Sequence, residues 1–293
     1  MIIIKSTCLL FIIYTFLKNI KKLYKKSHLL TNQEIFETNK TIIQSHRGIN
    51  REILENTMES FIKALDYGVE SIETDVWLSK DNVLVIFHGF GENGQISGLF
   101  DGVANITQTK WSHLSSYRTL WGNMKMPTLE EVFKLTKNKI YLNLEIKDPR
   151  IDLLWPVLIK LIEKYDFFEQ ITLSSFFYEY YNKTNKYNLL NNKRIPFGFL
   201  YHRNDTNPFI FDKKGNSLNM YYTDATKKVC DKAHENGMTV LVWFEMIDEE
   251  NFDVYKKLID NGVNIICSNE PALAKRFLEK YYFQFYRKKR RRN

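Results

Sequence analysis

Short apolar runs alternate with amphipathic stretches from residue 41 onward, and several of the apolar runs end in charged groups. The runs Thr41–His46, Ser71–Asp75, Val83–His88, Ile140–Lys147, Ile171–Ser175 and Ile195–Tyr201 read as strands, as do Thr239–Phe244 and Val263–Ser268. Helical spacing covers Asn56–Tyr67, Asp152–Tyr165, Asp224–Asn236 and Asn251–Asn261, with Gly68, Gly237 and Gly262 as stops. Thr128 can cap Leu129–Lys137, whose first turn holds Glu130 and Glu131, and Pro271 opens the last helix. No element is predicted between Ser175 and Ile195. Arg203 to Asn219 reads as irregular, followed by a short strand near Leu218–Tyr222. Counting that strand, and taking 71–75 with the following 83–88 as one segment, eight core strands are present, enough to close a parallel barrel. Residues 89–127 are long for a connection and rich in glycine, which predicts a small insertion covering the barrel mouth.

The charged strand ends carry chemistry. The segments 41–48, 71–75, 83–88 and 140–147 supply two histidines, three carboxylates, one arginine and one lysine. Glu73 and Asp75 are two apart on a predicted strand, so both project from one face, and Glu145 and Lys147 do the same. In a parallel barrel such strand ends converge on the active site. The inventory suits metal-assisted acid–base chemistry on an anionic phosphate. An all-oxygen ligand set selects a hard cation, Mg²⁺ or Ca²⁺.

Length and composition set the frame. At 293 residues, with 44% apolar and 26% charged positions, the chain can bury a full core and disorder is not the default. The net charge of +8 belongs to the ends: residues 1–26 hold six lysines and 287–293 six basic groups, with no acid in either. Removing those twelve from 42 leaves 30 Lys and Arg against 34 Asp and Glu, a body of −4, so nucleic acid is not the expected partner. Cys8, Cys230 and Cys267 are too scattered for a disulfide framework or a zinc site. Four Asn-x-Ser/Thr triplets, at Asn39, Asn105, Asn182 and Asn204, carry little weight in so Asn-rich a chain.

Ile2 to Leu17 is apolar apart from Lys5 and a few small polar residues, lysines follow it, and with Lys5 snorkelling Ile2 to Ile20 is just long enough to span a thin bilayer. With no small-residue cleavage site after it, residues 1–26 read as an uncleaved hydrophobic anchor with a basic flank. The lysine excess then puts the catalytic body in the cytosol, the endoplasmic reticulum being one candidate membrane. Secretion or lumenal release after signal cleavage is the alternative. Residues 27–40 read as a polar linker, 41–280 as the barrel and 281–293 as a basic tail. The tail suits contact with an anionic membrane surface, a nuclear signal or a solvated end.

The ordered set His46-Arg47-Gly48, Glu55-Asn56-Thr57, Glu73-x-Asp75, His88, Pro127-Thr128-Leu129-Glu130-Glu131, Glu145-x-Lys147, Ser175-Phe176 and Trp243 resembles the glycerophosphodiester phosphodiesterase family over about residues 41–278. The resemblance implies a TIM (β/α)8 barrel with a small insertion after the second barrel strand region. It implies His46 and His88 as general acid and base. Glu73, Asp75 and Glu145 would hold one divalent cation, and Arg47 and Lys147 would contact the phosphate. It also implies attack by the substrate's own neighbouring hydroxyl, then opening of the cyclic product by water.

The expected reaction is hydrolysis of a glycerophosphodiester to glycerol 3-phosphate and an alcohol. Lysophospholipase D activity, a sphingomyelinase-D-like lyase and a non-catalytic phosphodiester-binding barrel are the alternatives. Trp243 and Phe176 read either as core or as platforms for a lipid or alcohol moiety. Glu55 and Asn56 open a helix, where capping suffices to explain them, support of the metal-ligating side chains being the added role. His28, His113, His202 and His234 read as structural or exposed. The chain departs from the family pattern at Gly89 after His88, where an Asp is common. It departs again at Phe244-Glu245-Met246 and at Ser268-Asn269-Glu270-Pro271, where the family has Thr-Asp-Tyr-Pro.

Overall fold

The computed structural model describes residues 30–37, 40–203 and 215–290. In chain order these form α1 (Asn32–Glu37), β1 (Ile42–His46), α2 (Met58–Tyr67), β2 (Ser71–Leu78), β3 (Leu84–Ile86), α3 (Trp111–Leu114), α4 (Leu129–Thr136) and β4 (Tyr141–Ile146). There follow α5 (Ile151–Tyr165), β5 (Ile171–Ser175), α6 (Glu179–Asn191), β6 (Phe197–Leu200), β7 (Ser217–Tyr221), α7 (Lys227–Glu235), β8 (Thr239–Trp243), α8 (Phe252–Asn261), β9 (Ile265–Ser268) and α9 (Pro271–Arg290).

All of the strands except β3 pair in parallel, and the ring closes because β1 lies between β9 and β2. This is a closed eight-stranded TIM barrel. β3 stands outside it, pairing antiparallel with Val76–Leu78 where β2 overruns the rim.

Alternation along the strands builds two environments. Ile72 and Val76 of β2 and Leu142, Leu144 and Ile146 of β4 face the helices and join the main apolar core. The intervening positions face inward and are polar. Asn143 Nδ2 donates to Gln44 Oε1 (3.2 Å), Gln44 Nε2 to Ser71 Oγ (3.0 Å) and Ser174 Oγ to Asn143 Oδ1 (2.9 Å). Buried polar groups are tolerable when each finds a partner, and this chain of partners supports the floor of the site above it.

Four expectations need correction. Residues 32–37, read as linker, form a helix that covers the barrel's N-terminal opening. Ile35 is 1% exposed and packs with Ile42, Tyr141, Leu241 and Ile265. Asn32 Nδ2 donates to the carbonyls of Phe168 (2.7 Å) and Arg194 (3.0 Å). So short a segment has no periodicity to reveal it. Second, α6 fills the stretch where no element is predicted. Only Tyr180 and Thr184 of its side chains are buried, so no apolar stripe marks it. Third, residues 281–290, read as the start of a tail, continue α9. Fourth, residues 89–127 do not cover the mouth, as shown below. The anchor segment and residues 291–293 lie outside the described residues. Among the described residues no helix is long and apolar enough to cross a membrane.

The insertion has a core of its own. Ile96, Phe100, Ile106, Leu114 and Met126 pack on Trp77, Val85 and Phe87, so the insertion is built onto the β2–β3 overhang.

Candidate active site

His46 is the last residue of β1, and the chain turns sharply after it through Arg47 (φ 56°) and Gly48 (φ 85°). Gly48 is required: a Cβ there would lie 2.2 Å from Ser60 Oγ. Arg47 adopts the left-handed region without that freedom, a strained conformation typical of functional turns. The turn aims the Arg47 backbone N–H at Glu73, donating to its carbonyl (3.0 Å) and to Oε2 (3.1 Å). The guanidinium then bridges two carboxylates, with Nε 3.1 Å from Asp75 Oδ2 and one terminal nitrogen donating to Glu55 at 2.9 and 3.1 Å.

Helix capping does not account for Asn56. The N-cap of α2 is Thr57, which accepts from Ser60 N. Asn56 (φ 56°) instead donates from Nδ2 to Asp75 Oδ2 (2.8 Å) and accepts from Thr74 Oγ1 (2.7 Å). It orients the carboxylate it touches.

Glu73, Asp75 and Glu145 offer carboxylate oxygens that all lie within 4.8 Å of one another, and all three side chains are buried. Register explains the convergence, because Asp75 on β2 faces Glu145 on β4. Burial, then the Asp75 and Glu145 charges, push the Glu73 carboxyl well above the ordinary range. Burial also raises Glu145, although Lys147 Nζ stands 2.9 Å from its Oε1. Burial opposes ionisation of Asp75 too, but Arg47, His88 and Lys147 outweigh it and hold the group below its usual range. Asp75 Oδ1 and Glu73 Oε1 are buried with no hydrogen-bond donor among the described residues, Lys147 Nζ standing 3.9 Å from Asp75 Oδ1. Buried carboxylate oxygens so weakly partnered beside a raised carboxyl are a deficit of positive charge, and a hard divalent cation fits that deficit.

His46 accepts a defined role from its neighbour. Its Nδ1 lies 2.7 Å from Asn269 Oδ1, which also accepts from Asn50 Nδ2 (2.6 Å), while Asn269 Nδ2 donates to the Glu245 carbonyl (3.0 Å). Asn269 therefore presents its oxygen, Nδ1 carries the proton and Nε2 is left bare. The Glu250 carboxylate accepts the Asn269 backbone N–H (2.7 Å) and fixes the amide from behind. The His88 ring has no hydrogen-bond partner among the described residues. It packs edge-on to Phe90 (5.9 Å between centroids), while its carbonyl accepts from Trp77 Nε1 (3.1 Å). Gly89 stands where an Asp is common because Trp77 leaves no room. A Cβ would lie 2.9 Å from both Trp77 Nε1 and Gly94 Cα, at φ 69°. Burial, then the Arg47 cation, pushes His46 down to about 3. Burial pushes His88 to about 3 as well, against the pull of Asp75 and with Arg47 and Lys147 adding to the lowering.

These groups open onto one cavity of about 240 Å³ at the C-terminal end of the barrel. His46, Arg47, Glu73, His88, Glu145 and Lys147 form one wall, and Asp75 lies behind it, fully buried. Phe176, Leu200, Leu241 and Trp243 form the other. Phe176 stacks on His202 (4.2 Å, 16°), and Lys147 Nζ sits 5.9 Å from the Phe176 centroid. None of the described lining residues comes from 89–127, so the insertion stands beside the mouth and touches the site only through Phe90. A larger cleft of about 870 Å³ at the opposite end of the barrel has no histidine in its lining.

The structure thus gathers all nine residues singled out in the sequence. It adds Asn269, Asn50 and His202, which sequence reasoning left aside. Asn269 was visible only as a departure from a family pattern. His202, read as structural or exposed, is exposed but forms part of the aromatic wall.

Residues 46–273 match the Glycerophosphoryl diester phosphodiesterase family. The chain is 29% identical to a glycerophosphodiester phosphodiesterase of Caldanaerobacter subterraneus subsp. tengcongensis, over 79% of this chain and 95% of the relative. It superposes on the crystal structure of a candidate glycerophosphodiester phosphodiesterase from Galdieria sulphuraria with a TM-score of 0.71 and 28% identity, covering 82% of this chain and 98% of that one. An Oleispira antarctica phosphodiesterase solved with its product sn-glycerol-3-phosphate gives a TM-score of 0.70 at 20% identity, covering 83% and 99%; that likeness concerns the fold.

Proposed function

The chain belongs to the glycerophosphoryl diester phosphodiesterase family and is a phosphoric diester hydrolase, and from that premise we propose that it cleaves a glycerophosphodiester to glycerol 3-phosphate and an alcohol, with His46 and His88 as the acid–base pair. The observation that carries this reading is the single cavity in which both imidazoles and two basic side chains face a cluster of three buried carboxylates.

The chain's own groups divide the work. Arg47 and Lys147 draw in the anionic diester and hold its phosphate. His46, neutral and with Nε2 bare, takes the proton of the glycerol hydroxyl that attacks phosphorus. His88 is held neutral in the empty cavity. The negative phosphate favours its protonated form, so the ring gains a proton as substrate enters and delivers it to the departing alkoxide. The cyclic phosphate is then opened by water with the two roles exchanged, leaving glycerol 3-phosphate. Glu73, Asp75 and Glu145 would hold a divalent cation, Mg²⁺ or Ca²⁺, whose charge offsets that developing on the phosphate oxygens.

Cavity size supports a small substrate. About 240 Å³ falls below the roughly 300–1,000 Å³ of pockets that enclose drug-sized ligands. A glycerophospho head fits it and an acyl chain does not. A lysophospholipid remains a second candidate because Met246 and Ile247, 40% and 88% exposed after β8, offer apolar surface beyond Trp243. Assays on glycerophosphocholine and lysophosphatidylcholine, with EDTA, Mg²⁺ and Ca²⁺ arms, separate the two. The expected result is turnover of the soluble diester that falls at least tenfold in EDTA. Choline release from the lysolipid alone reassigns the protein as a lysophospholipase D, and a cyclic phosphate as final product as a lyase. Binding without turnover of either reassigns it as a binding barrel.

Attachment through residues 1–26, with the body cytosolic, belongs to the same reading and rests on the apolar run and its lysines. In sealed microsomes added protease is expected to digest the barrel. Protection of the barrel points instead to a lumenal enzyme.

A further inference from the structure

We propose that His46, Glu73 and Cys267 form a second cation site, one of thiolate, imidazole and carboxylate, that takes a borderline-soft divalent cation such as Zn²⁺.

One donor atom from each of the three lies within 4.8 Å of the other two. Cys267 is on β9, paired with Gln44 on β1, and so enters the barrel interior one step below His46. The three residues are 1–6% exposed. Two features prepare the cluster for an ion. Glu73 Oε1 is buried with no donor. The His46 Nδ1 proton is held by Asn269, which directs Nε2 toward Glu73, 3.9 Å from Oε2. A ligating imidazole is ordinarily fixed through its other nitrogen in this manner.

Donor chemistry decides the metal. Mg²⁺ and Ca²⁺ take oxygen ligands, whereas a thiolate with an imidazole selects Zn²⁺ or a similar cation. Tetrahedral zinc needs ligand separations of about 3.3–3.8 Å, so the donors must close by roughly 1 Å, which side-chain rotation supplies. Coordination replaces the Cys267 S–H bond by an S–metal bond and releases the proton to solvent. One thiolate, one carboxylate and a neutral imidazole balance the cation's charge.

The consequence for activity rests on the function proposed above. Zn²⁺ would occupy the His46 nitrogen that takes the proton and would draw on Glu73, a member of the hard-cation cluster. The second site is therefore inhibitory.

Co²⁺ added alone to the purified protein tests the site itself, because thiolate ligation gives an intense near-ultraviolet charge-transfer band. The band is expected in the wild type and in a Cys8→Ser, Cys230→Ser variant, where Cys267 is the remaining cysteine. It is expected to vanish in Cys267→Ser, with the Zn²⁺ concentration for half-inhibition rising at least tenfold. Glu145→Gln removes a ligand of the hard-cation cluster only, and the band is expected to survive there whether or not Mg²⁺ supports turnover. No band in the wild type, a band that persists in Cys267→Ser, or one lost in Glu145→Gln overturns the proposal.

Discussion

Replacing His46 by Ala is expected to lower kcat about 10²–10⁴-fold, the usual contribution of a positioned acid–base group, with the fold intact. The ring makes one hydrogen bond, to Asn269 Oδ1, and that oxygen keeps its bond from Asn50 when the ring is removed. No buried polar group is stranded, so the loss is chemical. Steady-state kinetics on glycerophosphocholine, beside a thermal melt of the same sample, separates the two. A variant that melts with the wild type and turns over within tenfold of it removes His46 from the mechanism.

Arg47→Met is expected to cost about 3–5 kcal/mol of unfolding free energy, the range for breaking a buried ion pair from one side. The Arg47 side chain is 13% exposed and stands against Asp75 at 0% and Glu55 at 11%. Methionine fills the stem but leaves Glu55 without its cation and Asp75 with Lys147 alone, Nζ 3.9 Å from Oδ1, in a cluster already short of positive charge. Urea unfolding in EDTA measures the cost. Adding Mg²⁺ is expected to restore part of it, since an ion bound only by the folded state stabilises that state. A cost below about 1 kcal/mol in EDTA means the ion pair is solvated in solution and the cluster looser than described.

Local pattern carried much of this architecture. Ile72, Thr74 and Val76 alternate with Glu73 and Asp75 along β2, and Leu142, Leu144 and Ile146 with Asn143 and Glu145 along β4, so the strands and their inward faces could be read directly. What local pattern cannot show is which strand ends meet. His46 and its partner Asn269 are 223 residues apart, and only closure of the ring between β1 and β9 joins them. His202 becomes part of the site by stacking on Phe176, across from the neighbouring strand β5. Asn56 was hidden differently: it sits beside a genuine helix start, so capping explained it until the hydrogen bond to Asp75 was seen. Helix α6 escaped because hydrophobic periodicity is the signal, and Tyr180 with Thr184 is too little of it.

The ends of the described chain have a practical use. Helix α1 lies at the barrel's N-terminal opening, and α9 runs down from β9 until the Tyr282 hydroxyl accepts from Thr41 N (2.8 Å), at the start of β1. Both chain ends thus leave the same pole, and the cavity opens at the other. A reporter joined directly before α1 or directly after α9, or a bead coupled there, would hang from the pole away from the mouth. The enzyme could be immobilised in an oriented layer with its substrate entrance facing the flow.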